Sequence, residues 1–136
     1  MKKLIIILLL VPAFIFSQNK KEEKRAIMSA NTWLTKIDDG KYLESWSSAG
    51  QYFQNQIKQD RWSAALNASR LPLGKLVSKR KLGSADYKTE LPGAPDGKYY
   101  VLSFSVSYEK KNSATETVTV TQSPEGNWKV VGFYIK

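Results

Sequence analysis

The sequence predicts an α+β fold in which N-terminal helices pack on a curved, mainly antiparallel four-stranded sheet, after a cleaved signal peptide. Three observations predict it. From Tyr100 the chain alternates, with Tyr100, Leu102, Phe104, Val106 and Tyr108 on one face and Ser103, Ser105 and Ser107 on the other. Period two with aromatic and β-branched residues marks a half-buried strand. Earlier, apolar residues recur at Ala26, Ile27, Ala30, Trp33, Leu34 and Ile37, the stripe of an amphipathic helix. Helical periodicity is thus confined to the first half and strand periodicity to the second, the order of an α+β domain.

Taken in chain order, Met1-Lys2-Lys3 and the apolar run Leu4 to Phe16 come first, then Ser17-Gln18. A basic start, a short apolar stretch and a small residue describe a secretory signal peptide spanning residues 1–17. The run is shorter than the roughly 20 residues that cross a bilayer as a helix. Residues 18–136 then form the expected single domain. Its polar leader, Asn19 to Arg25, precedes the helix, and Asp38-Asp39-Gly40 stops it, Gly40 suiting a left-handed cap. Tyr42, Leu43 and Trp46 suggest a short second helix, while Tyr52 and Phe53 anchor the segment after Gly50. A third helix begins near Gln59 or Asp60 and ends before Leu71, because Pro72 disfavours helix at the residue before it.

Leu76 to Leu82 and Ala85 to Leu91 read as one long strand interrupted by a bulge or bend at Gly83. The alternating Tyr100 strand follows, with Glu109 to Ser113 as a hairpin loop. Thr115 to Thr121 is the next strand, with threonines at odd positions and Val118 and Val120 at even ones. Ser123 to Asn127 makes a turn, since Pro124 fixes φ and Gly126 supplies positive φ. Trp128 to Ile135 is apolar on both parities, as a central strand covered on both sides would be, or a strand in a subunit interface.

The chain has 136 residues, no Cys, no His and a net charge of +9, of which Lys2 and Lys3 belong to the leader. Without Cys there is no lipoprotein anchor, no disulfide and no thiol nucleophile; without His the commonest acid–base group and zinc ligand are missing. The expected address is export, to the periplasm or beyond the cell envelope. The basic balance favours weak attraction to anionic surfaces. Its bases are scattered, so nucleic acid is not an expected partner. No Gly-rich phosphate loop follows a strand, and neither cofactor nor metal is expected; Asp38-Asp39 is turn chemistry beside a capping Gly.

Trp33-Leu34, Asp38 to Tyr42, Ser45-Trp46, Trp62, Arg70-Leu71-Pro72-Leu73-Gly74 and Arg80 form a recognisable series. It continues with Pro95 to Tyr99, Glu116-Thr117-Val118 and Trp128 to Lys136. Together these resemble the uncharacterised bacterial family called domain of unknown function 4019. The helices-then-sheet order also resembles the cystatin-like and nuclear-transport-factor-two-like cones. The family resemblance implies a fold and an address but no reaction, and a fold alone does not license a function.

Glu116 is the polar residue that stands out. It shares strand parity with Val118 and Val120, so if they face the core it does too, and a buried carboxylate must be paired or protonated. Arg70 and Arg80, flanking the Leu-Pro-Leu-Gly corner, are its candidate partners. The plainer meaning is a structural ion pair fixing how the third helix meets the sheet. Two functional classes stay open beside it. One is a non-catalytic module of the cell envelope binding a small apolar ligand or a partner protein, with a homodimer through the sheet among the arrangements allowed. The other is a small lyase, isomerase or hydrolase using Glu116 with Tyr100, Tyr108 or Tyr134.

Overall fold

The computed structural model describes residues 13–136, with side chains from residue 19 onward. The signal peptide expected over residues 1–17 lies outside the described residues except for the backbone of 13–17, which is helical. Four helices come first: α1 (Ala13–Asp38), α2 (Tyr42–Ser47), α3 (Gln51–Gln56) and α4 (Gln59–Ser69), followed by one 3₁₀ turn at Leu71–Leu73. Strands β1 (Lys81–Lys88), β2 (Tyr99–Tyr108), β3 (Lys111–Gln122) and β4 (Trp128–Ile135) then form one antiparallel meander in sequential order. The expected α+β architecture is therefore the observed one.

The stripe of α1 does what its spacing requires. Ala26, Ala30, Trp33, Leu34 and Ile37 are buried against the sheet, the two alanines letting the helix approach closely. The helix ends in a Schellman arrangement: Gly40, at φ +74°, donates to the Ile37 carbonyl and Lys41 donates to that of Lys36. The polar leader is not a separate segment, however, because α1 continues through it. Charged residues at Asn19–Arg25 hide the helix from a hydrophobicity pattern but do not oppose it, since Lys, Glu and Arg are good helix formers.

A cluster of aromatic rings joins the helices to β4. Trp33 meets Phe53, Trp62 and Phe133 at centroid separations of 6.3, 5.9 and 5.5 Å. Each indole N–H has an acceptor: Trp33 uses the Ser45 carbonyl, Trp46 that of Ile57, Trp62 the Ser45 hydroxyl and Trp128 the Glu22 carboxylate. Buried tryptophans need such partners, and Ser45, itself fully buried, supplies two of them. Phe53 lies on α3, a helix in the segment where the sequence suggested only anchoring aromatics.

The sheet departs from expectation in three places. The strand expected from Leu76 to Leu91 is shorter: Leu76 makes only an isolated bridge to Tyr108, and regular pairing runs from Lys81 to Lys88 with the bulge at Gly83. The hairpin loop closes on Glu109 and Lys110, so that Lys111 to Ser113 already belong to β3. Finally, β4 is an edge strand, not a central one. Its apolar residues occupy both parities because a bulge at Val131 shifts the register: Val120 faces Val130 whereas Thr119 faces Gly132. Trp128 and Val130 point inward before the bulge, and Phe133 and Ile135 pack on the core after it. Gly50 covers the outer edge there, donating to the Val130 carbonyl at 2.7 Å; a Cβ at Gly50 would stand 2.9 Å from the Val131 side chain.

Candidate functional site

Even-numbered residues of β2 and β3 face the helices, and Glu116 among them is completely buried. Its carboxylate is held by Arg80, whose Nε donates to Oε1 at 3.0 Å and Nη2 to Oε2 at 3.2 Å. The other edge of the same guanidinium clamps Asp38, Nη1 to Oδ2 at 2.6 Å and Nη2 to Oδ1 at 2.7 Å. One planar cation thus bridges two carboxylates in fork geometry, which Lys cannot do. Burial opposes the Arg80 charge, but the hydrogen bonds and charges of Asp38 and Glu116 outweigh it and hold the guanidinium more firmly protonated than in water.

Arg70 does not reach Glu116. It caps the end of α4, donates to the Gly74 carbonyl, reaches Asp38 at 3.3 Å and stacks 4.4 Å above the Tyr108 ring. Two acids and two arginines make a neutral cluster tying the end of α1, the end of α4, the connector before β1 and strand β3 together. Tyr108 forms its floor. The phenol is driven upward in pKa first by burial and then by the neighbouring Glu116 charge, against Arg70 and Arg80. Its hydroxyl is close enough to feel that carboxylate yet outside hydrogen-bond geometry, and Arg70 Nε is likewise buried without an acceptor among the described residues.

Asp38 is the member that the sequence reading assigned to a turn. The signal for it was present: Asp38 falls four residues after Leu34 and eight after Ala30, on the buried stripe of α1. The three tyrosines proposed alongside Glu116 are dispersed. Only Tyr108 adjoins it; Tyr134 is 59% exposed on the sheet face away from the helices. Tyr100 lies on the inner face further along β2, pairing with Val120 where Phe104 pairs with Glu116. No group of three carboxylate, His or Cys residues among the described residues is placed to hold a metal.

Tyr100 belongs instead to a groove of about 290 Å³ between the first described turns of α1 and the β1 edge. The groove exists because α1 packs chiefly on β4 and then on β3 and β2, leaving β1 largely uncovered. Along β1 the helix-side residues Leu82 and Tyr87 consequently stay exposed and Ala85 half-buried. Tyr87, Tyr100 and Trp128 form a continuous aromatic wall, successive centroids 5.3 and 5.2 Å apart. Glu22 and Glu23 line the helix side and Lys98 the strand side. Glu22 is fixed by Trp128 Nε1 at 2.8 Å, Gln122 at 3.1 Å and Arg25 at 2.9 Å. The Trp128 hydrogen bond, outweighing partial burial, keeps its pKa below the usual range, with Arg25 adding to the effect. Sequence reasoning reached Tyr100 but missed Glu22, Glu23 and Tyr87, because which strand the helix leaves bare is a property of packing angle.

A profile of the family described as protein of unknown function, DUF4019, matches residues 29–133. No curated protein and no solved structure matches the chain.

Proposed function

Because the chain belongs to this family of unknown function, its role must be argued from geometry, and we propose an exported, non-catalytic binding module of the cell envelope. The site in this proposal is the groove between α1 and β1. The observation that carries the proposal is the contrast between the two polar regions. Glu116 has no exposed surface and its oxygens are taken by Arg80, whereas the groove is open and walled by three aromatic rings. A general base must come within hydrogen-bond reach of the proton it removes, so the closed cluster supports an architectural role over the pocket-enzyme alternative. Concave apolar surface with a few fixed polar groups is the usual make-up of a ligand site. The helix-then-meander order supports a cystatin-like cone as the fold, with the groove at one mouth.

Export rests on the basic start and apolar run of residues 1–17; no helix among the described residues is long and apolar enough to cross a membrane. N-terminal sequencing of protein recovered from the cell envelope is expected to begin at or near Gln18. Intact Met1 on cytoplasmic protein would overturn that part.

Binding is tested with a library of small aromatic fragments, screened by ligand-observed NMR against the protein as it accumulates in cells. Some fragments are expected to bind, and Ala85→Trp, which fills the groove from β1, is expected to abolish their binding. Equal binding to both proteins would move the site elsewhere and sink the proposal.

A further inference from the structure

We infer that the groove between α1 and β1 takes the ammonium end of a small organic amine. This inference rests on the binding role proposed above and adds the charge class of the ligand. The wall comes first. Aromatic ring faces carry the negative part of a quadrupole, and a cation within about 6 Å of a ring centroid is attracted to it. Tyr87, Tyr100 and Trp128 stand in contact along one side of a space of about 290 Å³. That volume lies at the small end of ligand sites.

The second element is the pair of carboxylates on α1. Glu22 is already engaged by Trp128, Gln122 and Arg25. Glu23, the next residue, lines the same groove, is half-exposed, and takes no part in the ion pairs among the described residues. It is the charge left to meet a ligand.

Lys98 also lines the groove and would favour the opposite sign, so the two must be weighed. At the floor the acids prevail. The Tyr100 phenol is pushed up in pKa by burial and then by Glu23, Tyr87 and Glu22. An anion placed there would face the Glu23 carboxylate and an aromatic wall of which Tyr87 is the half-exposed ring, whereas an ammonium would be stabilised by both.

Three probes with one aromatic body and different charge separate these effects: phenethylammonium, 2-phenylethanol and 3-phenylpropionate, each titrated at pH 7 by isothermal calorimetry. The ammonium is expected to bind about ten-fold more tightly than either of the others, in the range of a partly desolvated cation–π site with a carboxylate beside it. Added salt should narrow the gap. Glu23→Gln is expected to remove most of the ammonium's advantage over the alcohol, the aromatic wall keeping the rest. Its melting temperature reports that the fold is intact, and an unchanged ammonium affinity would overturn the role of Glu23. Equal affinity of the wild-type protein for ammonium and alcohol overturns the inference while leaving the groove as a binding site. Preference for the carboxylate overturns it in favour of Lys98. Binding of none of the three overturns it as well, and a blank fragment screen beside that result removes the groove altogether.

Discussion

Replacing Arg80 by Met is expected to cost about 3–5 kcal/mol of folding stability, the range for breaking a buried ion pair from one side. The side chain is 8% exposed and its guanidinium is the common partner of Asp38 and Glu116. Without it Glu116 keeps a desolvated charge with no cation on it, while Asp38 retains only the longer contact to Arg70. A second change, Glu116→Gln, removes the stranded charge, so the double variant should lose less than the sum of the two single losses. Urea melts of the four proteins measure the coupling. A loss below about 1 kcal/mol for Arg80→Met would mean that solvent reaches the cluster.

Trp62→Ala is expected to lose a comparable amount, about 3–5 kcal/mol, through a different mechanism. Trp62 is 6% exposed and lies between Trp33, Phe53 and Phe133, with centroid distances of 5.9, 4.9 and 6.2 Å. Truncation opens a cavity bordered by three rings that are themselves wedged between α1, α3 and β4, so collapse into it is restricted. It also deprives the buried Ser45 hydroxyl of a donor. Trp62→Phe keeps most of the apolar surface and should retain most of the stability. A denaturant melt in which Trp62→Ala costs under about 1 kcal/mol would show that the aromatic cluster relaxes freely.

Legibility of the fold tracked how local each cause was. The inward face of β2, the inward position of Glu116 and the stop of α1 at Gly40 follow from two- or four-residue spacings, which the chain carries on its surface. The edge position of β4 did not follow, because the Val131 bulge moves inward residues from even to odd numbers and so imitates a strand covered on both sides. Nor did the helical state of Asn19–Arg25, whose tertiary contacts are polar ones, Glu22 with Trp128 and Gln122 and Arg25 with the Gly126 carbonyl. For the candidate site, Glu116, Arg80 and Tyr108 were recoverable from parity and charge. Asp38 was concealed by its position beside a capping Gly, which offers a sufficient local explanation for any aspartate. The groove was least legible of all: it is a gap between α1 and β1, and a gap has no residue pattern of its own.

The helix that opens the described chain closes on the strand that ends it. Ser29 donates to the Trp128 carbonyl at 2.6 Å, across 99 residues, and Glu22 meets the Trp128 ring across 106. Strands β2, β3 and β4, by contrast, join their neighbours through the short turns at 109–110 and 123–127. Folding therefore has two tempos: hairpins can zip as soon as their own residues exist, whereas the apolar stripe of α1 must wait for almost the whole chain. Long-range closure of this kind slows folding and leaves greasy surface open to wrong partners in the interval. A newly made chain therefore lacks the largest part of the sheet cover for α1 until residues 128–135 arrive, although Trp33 can meet Phe53 and Trp62 before then.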